Sequence, residues 1–454
     1  MVVTFIARVI FAAAIYGVAA TAARSARVGG VAVVIYACAP QTLLFNSQYA
    51  YQTLALPLAL FAVYLVARRH ADGVGGLVAP MLTVGAVALT HHLTSIALLG
   101  IFGLWWLLTL VRRRRTDRWG RRVGELSLMV VATAAAIVGV ALMPGNVMTT
   151  YLGSAFQNAV ASGMAALSAG ETKTLFVNPA GLTSSLAEKL AMAGSIALTG
   201  LGLLFGWWHA RTWLRRRNAA LGLLLIALSA VFVLEPLGHV VQSTAEIADR
   251  STSYAFLGIG FVLGLWAWSR RMTVRRFVVL GTAAVVMFAG GVMLGAGPMV
   301  MQVPGGYFVG ADHRTVDRDN IAASEWMRTE MPTGSRVFAD RVGMLLAAGV
   351  GAEPLTQIGT GVDASDLLLA PGVTPQDYAL IKNLKVEYLM VDERDSTGLP
   401  NLGIYVTGGE YGLADRRTPV PLSTLRKFAG VPGAQQIYTN GSMKIYTLKG
   451  VNGG

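Results

Sequence analysis

The arginines of this chain fall in every second gap between its apolar stretches, an alternation that a soluble fold has no reason to keep. About 20 apolar residues cross a bilayer, and ten stretches approach that length. They lie near 2 to 23, 29 to 45, 51 to 67, 74 to 91, 93 to 111, 124 to 143, 188 to 208, 219 to 236, 254 to 269 and 277 to 297. The second, third and ninth are short and are expected to tilt little or to be partly re-entrant. The gaps at Arg24 to Arg27, Arg68 to His70, Arg112 to Arg122, Arg211 to Arg217 and Arg270 to Arg276 hold 19 Arg together, against three positive residues, Lys173, Lys189 and Arg250, in the gaps between them. Arginine is retained on the cytoplasmic side of a membrane, so these gaps are expected inside and both termini outside. The expected fold class is a polytopic α-helical membrane bundle of about ten transmembrane helices, residues 1–297. A small extracytoplasmic α/β domain, residues 298–454, is expected to follow.

Composition agrees with that class: 54% of the 454 residues are hydrophobic and 13% charged, outside the range of soluble domains. Residues 1 to 297 hold 23 Lys+Arg against 8 Asp+Glu, and residues 298 to 454 hold 14 against 16, so the net charge of +13 belongs to the apolar part. A nucleic-acid partner needs positive charge gathered on one folded face; here the charge sits in short loops, which argues against that class. Those loops are instead expected to meet anionic membrane lipids. Cys38, the single cysteine, lies in an apolar stretch, which excludes an intramolecular disulfide. Residues 1 to 23 make a poor signal peptide, having no charge before Arg8 and no small-residue cleavage site leading into a soluble domain.

After Pro298 helix and strand patterns alternate. Asp319 to Met331 predicts a helix stopped by Pro332-Thr333-Gly334, and Arg336 to Ala339 a strand. Thr374 opens a second helix with Asp377 in its first turn, where an acid suits the helix dipole. Lys385 to Val391 predicts a strand, and Gln435 to Leu448 a hairpin whose Asn440-Gly441 pair signals a type I′ turn.

The unusual polar residues gather in gaps expected outside. Residues 46 to 52 read Asn46-Ser47-Gln48-Tyr49-Ala50-Tyr51-Gln52, either a neutral surface for sugar hydroxyls, with Asn46, Gln48, Tyr51 and Gln52 as its candidates, or an interfacial aromatic belt. Thr90-His91-His92-Leu93-Thr94 joins two spans tightly. His91 and His92 either bond a substrate phosphate or serve a plain helix-cap turn; a metal needs two further ligands, and no third His is near in sequence. Glu235, His239, Gln242 and Glu246 follow a 4, 3, 4 spacing that lines one face if helical. Arg250, followed by Ser251, Thr252 and Ser253, can hold a phosphate with hydroxyl help, although a solvated loop with internal ion pairs fits the same residues. Arg8, about two turns into the first span, either faces a cavity or snorkels outward. Asn146 to Leu186 reads as an interfacial helix with a lid, or as a plain surface loop.

Several stretches resemble the GT-C superfamily of membrane glycosyltransferases: FNSQYAYQTLALPLALFAVYLVAR at 46 to 69, ALTHHLTS at 88 to 95, ADRSTSYAFLGIG at 248 to 260 and SEWMRTEMPTGSRVFADR at 324 to 341. The resemblance implies a polyprenyl-phosphate sugar as donor, transfer on the outer face of the plasma membrane, and an acidic residue in the first outer loop as base or metal ligand. It leaves room for a divalent metal and names no other cofactor. Met1 stands where the end of that loop belongs, so the expectation is that a preceding span and the catalytic acid lie upstream and that the chain as it stands transfers little sugar. Under this reading Arg250 is the leading residue for the donor phosphate, with His91, His92 and Arg8 behind it. Glu235 and Glu246 are the fallback acids, and His239 joins the sugar or acceptor side. The competing class is a non-catalytic membrane carrier or scaffold. Carriers place polar pairs near the midplane and often show repeated halves, which this sequence does not.

Overall fold

The structure, a computed structural model, describes residues 2–40, 42, 51–68, 74–112, 117–143, 183, 185–216, 220–240, 245–268, 273–293 and 306–452. They form two compact units, one drawn from residues 1–297 and one from 298–454 together with 176–184.

In the first unit each of the ten apolar stretches carries a helix: α1 (Val2–Ala23), α2 (Ala26–Tyr36), α3 (Tyr51–Arg68), α4 (Val78–Thr90), α5 (His92–Val111), α6 (Asp117–Ala141), α7 (Leu186–Arg216), α8 (Ala220–Val240), α9 (Ala245–Ala267) and α10 (Val274–Met287). A π-helical turn, Phe288–Met293, extends α10. Among the described residues six segments are long and apolar enough to cross a membrane: α1, α3, α5, Trp119–Ala141 of α6, Leu186–Leu214 of α7 and Val274–Met293. The expectation of about ten spans goes beyond these six. The helices α2 and α4 and the apolar part of α8, Ala220–Glu235, are shorter, and α9 opens on the polar run Glu246 to Ser253.

α9 is the hub of this unit. From Ala255 to Leu265 its apolar side chains are nearly all buried, and it packs along α8, α2 and α7. In lipid, helices associate by close van der Waals contact, which small residues permit. A Cβ on Gly258 would stand 2.2 Å from the Leu225 carbonyl oxygen and 2.3 Å from the Ser229 nitrogen of α8. One on Gly260 would stand 2.8 Å from the Ala32 carbonyl of α2. Gly264, four residues on, meets Val28 of α2, a small-xxx-small seam.

The tryptophans divide the two ends of this unit. Eight of the nine in the chain belong to it, Trp105, Trp106, Trp119, Trp207, Trp208, Trp213, Trp266 and Trp268, and all stand at the Arg-bearing helix ends. Among the described residues three carry an arginine over the ring: Arg27 lies 4.8 Å from the Trp268 centroid, Arg122 4.8 Å from Trp105 and Arg276 5.8 Å from Trp266. Stacked Arg-Trp pairs suit an interface where one side is wet and the other apolar.

The second unit is a five-stranded sheet in the order β2-β1-β3-β5-β4. The strands are β1 (Arg336–Phe338), β2 (Glu353–Pro354), β3 (Tyr388–Asp392), β4 (Gln435–Thr439) and β5 (Met443–Thr447). β1 runs parallel to β2 and β3, and β5 runs antiparallel to both β3 and β4. The helices α11 (Arg318–Glu330), α12 (Arg341–Gly349) and α13 (Pro375–Leu384) accompany the sheet, with Val337, Phe338, Leu389, Met390, Val391 and Ile445 in its core. Capping sets the helix starts. Asp317 and Asn320 form a capping box for α11, and Thr374 with Asp377 forms one for α13. Lys385, at φ 50°, closes α13 in the left-handed conformation. The strand expected from Lys385 therefore begins at Tyr388.

The hairpin forms where expected, but its turn is not type I′. That turn needs a positive φ at both central residues; of Asn440 and Gly441 only Gly441, at φ 106°, has one. Tertiary bonds account for the difference. Asn440 Nδ2 donates to the Asp319 carbonyl at 2.8 Å and Ser442 Oγ donates to Asp319 Oδ2 at 2.5 Å, tying the loop to α11.

Arg394 ties the carboxyl end of β3 to α11. Its Nε and Nη2 donate to the two Asp392 oxygens at 2.9 and 2.8 Å, Nη1 donates to Asp317 Oδ2 at 2.5 Å and Nη2 to Asn320 Oδ1 at 2.9 Å. The Tyr307 ring lies 4.2 Å beneath the guanidinium.

Candidate functional site

Five separate segments bring polar residues to the end of the first unit opposite the tryptophans. Helices that alternate in direction place at that end the first half of α1, the end of α2, the start of α3, the α4–α5 turn and the start of α9. Arg8, Tyr36, Gln52, His91 with His92, and Arg250 are their side chains.

Arg250 sits in the second turn of α9 and its Nη1 donates to Gln52 Oε1 at 2.8 Å. Gln52 is buried in the first turn of α3, whereas its neighbour Tyr51 is 77% exposed. Of the four sugar-facing candidates in residues 46 to 52, the two described ones part company: Gln52 binds the arginine, and Tyr51 points away from the packed interior. Arg250 lies within electrostatic range of His91, His92 and Tyr254. Two hydroxyl contacts extend the cluster, Tyr254 bonding to Thr94 and Tyr36 to Ser253. Arg8 reaches it through Tyr36, whose ring also packs edge-on against Phe11 at 5.0 Å. Arg8 is half-buried.

The two histidines do different jobs. His91 is the N-cap of α5: its Nδ1 accepts from the Thr94 N–H at 3.3 Å and lies 2.8 Å from Thr94 Oγ1. The cap reading is therefore correct for His91 and leaves Nε2 for a ligand. A neutral ring that accepts at Nδ1 carries its proton on Nε2, so that nitrogen is a donor suited to an anionic oxygen. His92 lies beside it, 5.4 Å between ring centroids, and its backbone carbonyl accepts from Ser95 Oγ at 2.7 Å.

Glu235 is half-buried on α8, the helix packed along α9. Asn46, Gln48 and Gln242 lie outside the described residues, and for His239 and Glu246 only the helical backbone is described, so the 4, 3, 4 face is not seen. Nearly all of the loop from 146 to 186 is outside them as well. Among the described residues no group of three or more His, Cys, Asp or Glu is placed to hold a metal ion.

Tyr36 and Tyr254 escaped the sequence reading. Tyr254 was legible in principle, since it stands four residues after Arg250 on one helical face. Tyr36 was not, because only the packing of α2 on α9 brings it near Ser253.

Among the described residues the cluster therefore holds two guanidinium groups, an imidazole donor, hydroxyls and one buried amide. Such a set can bind a phosphate by charge-assisted bonds and orient it by the planar fork of Arg250. Comparison with known proteins finds no matching family model and no similar curated protein.

Proposed function

We propose that this chain is a membrane glycosyltransferase of the GT-C kind, or the donor-handling part of one, which binds a polyprenyl-phosphate sugar at the Arg250 end of its bundle. In this reading the bundle has about ten spans in the plasma membrane, the Arg-bearing loops face the cytoplasm, and the α/β unit lies outside. The observation that carries the proposal is the Arg250 to Gln52 bond with His91, His92 and Arg8 around it. These residues come from separate helices and share one cationic patch at the end poor in tryptophan. Arg250 holds the donor phosphate, the His91 Nε2–H adds a neutral donor, and Gln52 holds Arg250 in place. Glu235 on α8 is the fallback base toward the acceptor hydroxyl, with Glu246 and His239 on the adjoining segments.

Titration of the purified protein with a labelled polyprenyl-phosphate sugar tests this. Binding that weakens on adding the free polyprenyl phosphate, and that is lost in Arg250→Ala, supports it. Equal affinity of the variant removes Arg250 from the site, and no binding by the parent protein ends the proposal.

A further inference from the structure

At the start of α5 a short hydrogen-bond chain has its proton order fixed by geometry. A threonine inside a helix ordinarily returns its hydroxyl to the carbonyl four residues back. Thr83, Thr90, Thr109, Thr133 and Thr199 all do so, at 2.6 to 2.8 Å. For Thr94, the third residue of α5, that carbonyl belongs to α4, beyond the extended backbone of His91 at φ −158° and ψ 113°. Thr94 is buried, and its Oγ1 lies instead 2.8 Å from His91 Nδ1. The Thr94 N–H donates to the same nitrogen at 3.3 Å. A backbone N–H can only donate, so Nδ1 carries a lone pair, and an oxygen 2.8 Å from that lone pair must bring a proton to it. The Thr94 hydrogen is thereby used. Its oxygen is left to accept from the Tyr254 hydroxyl of α9, which bonds to Thr94. The protons therefore run from Tyr254 to Thr94 to His91 Nδ1.

We propose that Thr94 and Tyr254 are positioning residues of the donor-phosphate site, acting through His91: they hold its imidazole neutral, in one orientation and in the tautomer protonated at Nε2. The identity of the ligand rests on the glycosyltransferase reading; the state of the ring rests on the hydrogen bonds alone. An imidazole free to exchange tautomers would present a lone pair to a phosphate oxygen part of the time, and two acceptors repel. The lock removes that state. An imidazolium is disfavoured as well, because it needs a proton on Nδ1, where two donors already point. Each donor in such a chain polarises the next, so Nε2–H becomes a stronger donor without taking a full charge. Tyr254 also stands four residues after Arg250 on α9, on the same helical face. One helix thus sets the guanidinium and the origin of the chain in register.

The test uses the full chain in detergent with isotope-labelled histidine ring nitrogens, read by NMR at neutral pH, His91→Gln identifying the His91 signals. Without ligand the parent protein should show Nδ1 bare and Nε2 protonated. A protonated Nδ1 overturns the proposal, and that result needs no variant. Thr94→Val keeps the shape and the backbone N–H and loses the hydroxyl; it should convert the pattern to an exchange average of the two tautomers. It should also weaken binding of free polyprenyl phosphate about fivefold, the value of one neutral hydrogen bond. Thr94→Ser should restore both, which a packing role for threonine would not. Tyr254→Phe should give the same tautomer average as Thr94→Val. An unchanged ring pattern in either variant removes that residue from the role, and unchanged phosphate affinity beside an altered ring would show that His91 does not touch the phosphate. Absence of polyprenyl-phosphate binding by the parent would end the ligand assignment, while the spectrum decides the state of the ring separately.

Discussion

Arg250 and Gln52, 198 residues apart, meet at 2.8 Å, the guanidinium donating to the amide oxygen across the α9–α3 junction. An amide at this position orients the guanidinium through its oxygen and adds no negative charge beside it. Gln52→Glu should form an ion pair with Arg250 and so lower affinity for a polyprenyl-phosphate sugar. Arg250→Ala should lower it by about 10-fold to 100-fold, the value of a bond to a charged group. Donor titration of both variants checks this; tighter binding by Gln52→Glu would show that the residue touches the sugar rather than the arginine.

Arg394 is the keystone of the α/β unit. Its removal leaves the fully buried Asp392 carboxylate without its bidentate partner, a loss of about 3–5 kcal/mol. Arg394→Ala should abolish hydrogen-exchange protection along β3 while protection in α9 persists. Arg394→Lys should recover part of it, since a lysine keeps the charge and loses the fork.

The same unit should be less stable in mild alkali than in mild acid. Asp340 and Asp395 are buried near one another at the carboxyl ends of β1 and β3, and neither carboxyl oxygen of Asp395 has a hydrogen-bond partner. Burial first, then the neighbouring Asp392 for Asp340 and Asp340 for Asp395, raises both carboxyls above their ordinary range. A raised acid contributes its stability below the ordinary carboxylate pKa and loses it as pH climbs toward the folded value. Glu393 works the other way: bonds from Arg426, then Lys444, hold it down to about 2, so its contribution fades only in strong acid. Hydrogen exchange of residues 306–452 should therefore show weaker protection at about pH 8 than at about pH 5, the higher pH lying further along that climb. Asp395→Asn should flatten that difference. An unchanged slope in the variant would assign it to other groups.

Gly258→Ala should destabilise the helical unit by about 1–3 kcal/mol, because its Cβ would meet backbone atoms of α8 that cannot swing aside. Gly103→Ala, where nothing lies within 4 Å of the new Cβ, should be tolerated. Thermal aggregation of the two variants in detergent compares them directly.

The helices and the division near Pro298 were legible in the sequence, because apolar length and the Arg alternation are local properties of the chain. So were the caps at Asp317 and Thr374, where the bonding partners lie within three residues. The hairpin turn was read wrongly for the opposite reason, since Asn440 and Ser442 bond to Asp319 from far along the chain. The site divides in the same way. Sequence alone marked Arg250, His91, His92, Gln52 and Arg8 as polar residues at expected span ends, since polar groups near a membrane are costly and few. Only tertiary packing decided that Gln52 holds Arg250 and that Tyr36 and Tyr254 complete the cluster. A sequence carries the cost of placing each residue in lipid or water; which side chains then meet depends on helix faces brought together over hundreds of residues, by contacts such as Gly258 on α8 that no local pattern specifies.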